Sequence, residues 1–198
     1  CSAKKRQKKF KTKNMKSLED LRKVILLKEV SIESQTLISQ FPPQFDNNNK
    51  NILYTEFSNP PNAKHESTLH FTRWKALNLP HNFKAQSITK ISAVEEPFTY
   101  PSPADAKNSI IWHLNFAQSQ LFMYYGSSLL AQDEWQVAEH IALGSLREYL
   151  KFHAMGDISL MPLTIQAGNP TPCLVRNVER RIAIAVDANA EQHRPQGL

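Results

Sequence analysis

The stretch from Asn108 to Leu150 reads NSIIWHLNFAQSQLFMYYGSSLLAQDEWQVAEHIALGSLREYL, and its reading decides the fold. Ile110 to Ala117 is a short apolar run with β-branched and aromatic residues, which predicts a buried strand. Leu130, Val137, Ile141, Leu146, Tyr149 and Leu150 follow spacings built from threes and fours, so 129–151 is expected to be one helix with a single apolar face. Between the two lies Gly126-Ser127-Ser128, where either serine can cap the helix by accepting a bond from an orphan backbone N–H. The unit is therefore strand, loop, helix. Gln132, Asp133 and Glu134 fall in the first helical turn. The partial positive charge of a helix N-terminus favours acids there, so the simplest role of the two carboxylates is dipole compensation.

Composition bounds the rest. A chain of 198 residues suits one domain with a real core, or a domain with an extension. No apolar run is long enough to cross a membrane as a helix. Lys4, Lys5, Arg6, Lys8, Lys9, Lys11, Lys13 and Lys16 crowd residues 1–16 with no acid among them, so the net charge of +6 belongs to this leader and the remainder is slightly acidic. A broad nucleic-acid-binding face on the folded part is therefore excluded. The leader is expected to be disordered, and nucleic acid or an anionic surface is a partner through it alone. The two cysteines, Cys1 and Cys173, form no disulfide or zinc framework, which suggests a reduced, intracellular protein. The histidines are scattered without ligand spacing, and no metal is assigned.

Along the chain, Ser17 caps a helix with acids in its first turn, expected to end near Val30 and Ser31. A second short helix is expected over 32–41, closed by Pro42-Pro43. Residues 45–51 are polar and read as a loop. Ile52 to Phe57 reads as a short strand or an apolar turn, and Thr68 to Trp74 fits no single period. Ile88 to Val94 is expected as an edge strand, and 96–108 as a proline-rich loop. Residues 151–156 read as a turn, 158–165 as a strand interrupted by Pro162, and 168–172 as a loop. Arg180 to Ala188 is continuously apolar at its centre, as in a strand buried on both faces.

Asn115-Phe116-Ala117-Gln118, followed after a loop by Gln132-Asp133-Glu134, resembles the paired motifs of poly(ADP-ribose) glycohydrolase-type macrodomains. In that family Asp-Phe-Ala-Asn at a strand end is followed by Gln-Glu-Glu at a helix start, and the separation of seventeen positions between Asn115 and Gln132 is the family's. The apolar-Asp-Ala run ending at Asp187-Ala188 is similar to its late strand, and the likeness runs in collinear order over roughly 69–189. The resemblance implies a mixed α/β chain, a macrodomain-like three-layer α/β/α fold with a mixed central sheet in which 110–117 and 181–187 are neighbouring strands. The family's second phosphate loop would lie beyond Leu198, so a version truncated at its C-terminus is expected. The organisation implied is a leader over 1–16, a helical extension over 17–64 and a partial macrodomain over 65–198.

The activity implied is hydrolysis of the glycosidic bond between ADP-ribose and a protein side chain or polymer. The alternative is a non-catalytic ADP-ribose binder or an inactive homologue. Cleavage at the anomeric carbon passes through an oxocarbenium-like state, which a carboxylic acid serves by protonating the leaving group and then assisting water. By resemblance Glu134 is the general acid and Asp133 holds the distal ribose. Gln132 orients the loop, and Asp105 falls where the family places an adenine contact. Asn115 and Gln118 border the ligand. Gly126 and Ser127 offer donors to phosphate, and Tyr124 lies against adenine or ribose. No cofactor is implied. The departures are Asn115 in place of Asp, Gln118 in place of Asn, and Phe122-Met123-Tyr124 where the family has glycines, which removes the close backbone approach that glycine permits. These departures keep the binder in play.

Overall fold

Thr68–Trp74 forms the centre of the sheet: Leu69, Phe71 and Arg73 are all fully buried on one face, and Thr72 is buried on the other. This strand, β2, is flanked on both sides in a computed structural model that describes residues 17–58, 65–78, 110–116 and 118–184. On one edge lies β1 (Leu26–Glu33), antiparallel, with Val30 opposite Phe71 and Ile32 opposite Leu69. On the other lies β5 (Cys173–Arg176), also antiparallel, with Val175 opposite Phe71. A two-stranded ribbon of β3 (Ile165–Gln166) and β4 (Asn169–Pro170) turns through Gly168 at a φ of 76°, a conformation that glycine adopts without steric cost.

The helices are α1 (Leu18–Ile25), α2 (Ser34–Gln40), α3 (Asn48–Ser58), α4 (Gln132–Glu139) and α5 (Ala142–His153), with a short 3-10 turn at Ile158–Leu160. Leu37 and Ile38 of α2, Val137 of α4, and Ile141, Leu146 and Leu150 around α5 share one buried cluster with Leu69 and Phe71 of β2. Leu121, Phe122 and Tyr125 join it from the loop before α4. The chain is thus mixed α/β, with helices and a small antiparallel sheet.

Two long polar side chains tie the sheet to the segment after α5. The Arg73 guanidinium, fully buried, donates to the carbonyls of Ser159 and Met161. Lys28 reaches Asp157 at 2.6 Å, and with the bonds from Ser159 it holds the Asp157 carboxyl at about 2.

Several sequence expectations are corrected. Ser17 does cap α1, accepting from Asp20 N–H at 3.2 Å, but the helix stops at Ile25. From Lys28 to Glu33 inward Lys28, Val30 and Ile32 alternate with outward Glu29, Ser31 and Glu33, and this period of two wins over helix. The expected second helix stands as α2. Residues 48–58 form a helix in place of the loop expected over 45–51 and the strand or apolar turn expected over 52–57, and Asn47 Oδ1 caps it by accepting the Lys50 N–H. The single helix expected over 129–151 is broken at His140, whose backbone leaves helical space at φ −123°, ψ 71°. Gly144 lets α5 come close there, since a Cβ would sit 2.8 Å from Pro43 Cβ and 3.1 Å from the Tyr125 ring. In place of the strand expected over 158–165 stand a 3-10 turn, bends, an isolated bridge from Leu163 to Gln120 and the first residue of β3, and Asn169–Pro170 of the expected 168–172 loop form β4.

The largest correction falls on 110–117. Its described residues, 110–116, are neither paired nor buried, with Leu114 77% and Phe116 75% exposed. Residues 178–184 pair in no sheet either, although Ile182 is buried. All pairing among the described strands is antiparallel, in place of a mixed central sheet. The Ile88–Val94 strand, the 96–108 loop, Asp105 and the leader over 1–16 lie outside the described residues.

Candidate functional site

The first turn of α4 and the 114–116 segment meet through one side chain. Gln132 Nε2 donates to Leu114 O at 2.7 Å, and its Oε1 accepts the Phe116 N–H at 3.0 Å. A primary amide matches a peptide group in donor and acceptor, so Gln132 supplies what a neighbouring strand would. One turn along α4, Gln136 Oε1 accepts from Asn115 Nδ2 at 2.8 Å. Asn115 Oδ1 is buried, and among the described residues it has no hydrogen-bond donor. A buried acceptor without a donor calls for a partner, since leaving it unpaired costs on the order of 1–3 kcal/mol.

Glu134 is turned back onto its own helix start and is only 3% exposed. Its Oε2 accepts the Ala131 N–H at 3.1 Å, which is half of a capping box, because Ala131 has no side-chain oxygen to complete it. Burial, reinforced by the neighbouring Asp133 carboxyl, raises the Glu134 pKa above its ordinary value, while its own helix-start N–H and the Lys50 charge oppose the shift. Asp133 is half-buried beside it. A carboxyl that keeps its proton nearer neutrality is what a general acid needs.

The loop between them is locked by protein contacts. Gly126 O accepts from the Asp46 and Asn47 amides at 2.9 and 3.1 Å, and a Cβ on Gly126 would lie 2.2 Å from Gln44 O. Glycine is required here by a neighbouring backbone. Ser127 Oγ donates to Tyr124 O and accepts the Leu129 N–H, so it caps its own turn, and the residue at the start of α4 is Ala131. Tyr125 Oη accepts the Gln44 N–H at 2.6 Å and donates to Glu148 at 3.0 Å. Burial raises the Tyr125 pKa, which keeps the phenol protonated as that donor. Tyr124 is partly exposed, and Gln118 is exposed with its carbonyl accepting from the Thr164 hydroxyl. Phe122 stands at a φ of 53°, left-handed space that residues other than glycine adopt uncommonly.

At the far end of α4, burial raises the Glu139 carboxyl. Bonds from Arg180 at 2.9 Å, from the Trp135 indole and from Ile184 N–H outweigh burial, and its pKa lies below the ordinary range. His140 Nδ1 lies 2.9 Å from Gln136 O, and burial lowers its pKa.

The motif halves Asn115 and Gln132–Glu134 are therefore brought together, while Gln118, Gly126 and Ser127 make contacts of their own. Sequence reading missed Gln136 and Lys50. Lys50 closes a polar run, Asn47-Asn48-Asn49-Lys50, in which nothing marks it for burial. Gln136 sits one turn after Gln132, a spacing that was open to reading. No group of histidine, cysteine and acidic side chains among the described residues could hold a metal ion. No helix among them is long and apolar enough to cross a membrane. No family model, curated protein or solved structure matches this chain.

Proposed function

We propose that this chain binds ADP-ribose against the 114–116 segment and the start of α4, and hydrolyses the bond between its distal ribose and a modified protein. The observation that carries the reading is the junction itself. Gln132 bonds the main chain on both sides of Asn115 and leaves Asn115 Oδ1 buried without a donor among the described residues. Ribose hydroxyls and the adenine amine are donors of the kind that this acceptor lacks. Glu134, with its raised pKa, delivers its proton to the leaving group as the glycosidic bond breaks, and its carboxylate then takes a proton from the attacking water. Asp133, half-buried beside it, holds the distal ribose hydroxyls. The same reading takes the chain as part of a macrodomain-like three-layer α/β/α fold.

A second reading, a binder without turnover, is favoured by the Glu134 carboxylate being committed to the Ala131 N–H and by Asn115 standing where the family has a charged acid. The test is a calorimetric titration with ADP-ribose, together with release of ADP-ribose from an ADP-ribosylated protein by wild type and Glu134→Gln. The expected result is saturable binding by both and turnover that falls by about a hundredfold or more in the variant, as loss of a general acid does. Binding with no turnover in either selects the binder, and absence of binding rejects the ADP-ribose site altogether.

A further inference from the structure

Lys50 stands in the first turn of α3 and is 2% exposed. Its ammonium donates to the carbonyls of Tyr125 at 3.0 Å, Ser127 at 2.7 Å and Leu129 at 2.6 Å. An ammonium carries three protons, so every one is used, and all go to one stretch of backbone. That stretch is the loop that delivers the chain into α4. Burying a cation is costly unless opposite charge lies near. The negative charges that act on Lys50 are Glu134 and Asp133, although neither forms a direct ion pair with it.

We infer that Lys50 is a positioning residue for the Asp133–Glu134 site, fixing the 125–129 backbone from beneath and setting the charge balance of the carboxylate pair. The inference rests on the reading of 132–134 as an ADP-ribose site. The geometry is asymmetric in a useful way. Carbonyls at 125, 127 and 129 all turn toward one ammonium, which pins alternate peptide planes of the loop. Gly126 between them is held by Asp46 and Asn47, which immediately precede α3. The loop is therefore fastened to the start of α3. The charged groups acting on Glu134 are Asp133 on its own helix and Lys50 from α3, and they work in opposite directions. Burial lowers the Lys50 pKa and the two carboxylates raise it, so deprotonating the pair and holding the ammonium charged favour one another.

The consequence is specific. Removing the charge while keeping the length, as in Lys50→Met, leaves three carbonyls without a donor and one less cation beside the pair. Glu134 then holds its proton to higher pH, and turnover falls by about a hundredfold, the scale of an ångström-level misplacement. Lys50→Arg restores the charge, so it returns the Glu134 titration toward wild type.

The experiment follows the Glu134 side-chain carboxyl by 13C NMR across pH in wild type, Lys50→Met and Lys50→Arg, with kcat and KM measured beside it. The expected result is a Glu134 midpoint moved to higher pH in Lys50→Met and recovered in Lys50→Arg, with kcat reduced more than KM is raised. If Lys50→Met does not fold, Glu134→Gln in the wild-type background replaces it, and the 15N titration of the Lys50 ammonium moves to lower pH. An unchanged Glu134 midpoint in a folded Lys50→Met, or an unmoved Lys50 ammonium in Glu134→Gln, overturns the inference. A moved midpoint in a protein that binds no ADP-ribose confines Lys50 to balancing the pair and overturns the ADP-ribose reading alone.

Discussion

The two halves of the paired motif are held in opposite ways. The loop and first turn before and within α4 are fastened from three directions: Lys50 beneath, Asp46 and Asn47 at Gly126, and Gln44 with Glu148 at Tyr125. The segment 110–116 pairs with no strand among the described residues, Ile110, Trp112, Leu114 and Phe116 are exposed, and side chains of α4 hold it by Gln132 and Gln136. Both halves look equally well specified as sequence. The difference teaches that apolar content alone does not bury a strand. Burial needs a neighbour to take the backbone hydrogen bonds, and among the described residues Gln132 alone imitates one.

The sharpest way to break the contrast is at Gly126. Its missing Cβ leaves room for the Gln44 carbonyl, which would otherwise lie at 2.2 Å, and the atom in the way is backbone that cannot swing aside. Gly126→Ala is expected to destabilise the fold by about 1–3 kcal/mol, the usual range for overpacking. Denaturant unfolding reads this as a lower midpoint at unchanged slope. A midpoint within error of wild type would mean that the 44–47 segment is not clamped to the loop.

Acid separates the two regions next. Burial lowers the pKa of His140 and of His65, so each binds a proton less readily folded than unfolded. Their stability is present above the ordinary value of 6.5 and is lost as pH falls through the folded values. Glu139 and Glu179, both lowered, act in the same direction at lower pH, from their ordinary 4.5 downward. Glu134 is raised, so its contribution has the opposite sign, present below 4.5 and lost as pH rises through its folded value. The melting temperature should therefore fall from pH 7 to pH 5, and His140→Gln should flatten part of that slope. Amide signals at the α4–α5 junction should broaden, and those around His113 should shift in the same range, since burial lowers the His113 pKa too. A slope that His140→Gln leaves intact would assign the effect to His65 and His113.

How much of this was legible tracks the same division. The cap at Ser17, the helix over 34–40 and the approach of the 114–116 main chain to Gln132 could be read because each depends on residues close in sequence or on a motif spacing. The strand at Leu26–Glu33 was legible in its alternation but was absorbed into the preceding helix, since Leu26, Leu27 and Val30 also suit a helical face. The burial of Lys50 and the break at His140 were not legible. One depends on three carbonyls seventy-five or more residues away, the other on an imidazole close to a carbonyl in the preceding turn. What Gly126 makes room for was not legible for the same reason: glycine marks a close approach, but not the group that approaches.

The smallest expected effect is also the most diagnostic for the 110–116 half. Leu114 is largely exposed, and its carbonyl, not its side chain, accepts from Gln132. Leu114→Ser therefore removes apolar surface that water already covers and keeps the hydrogen bond. Its effect on stability should stay within about ±0.5 kcal/mol, as for a surface substitution that touches no special feature. Gln132→Ala, in contrast, leaves Leu114 O and Phe116 N–H without their partner, and hydrogen exchange at the Phe116 amide should accelerate while global stability changes little. The comparison turns on the pair. If Leu114→Ser costs as much as a core truncation, about 2 kcal/mol or more, the apolar face of 110–116 is covered in solution. The segment would then be the buried strand that its sequence describes. If Leu114→Ser is silent and Gln132→Ala frees the Phe116 amide, the segment is an unpaired strand held to α4 by Gln132.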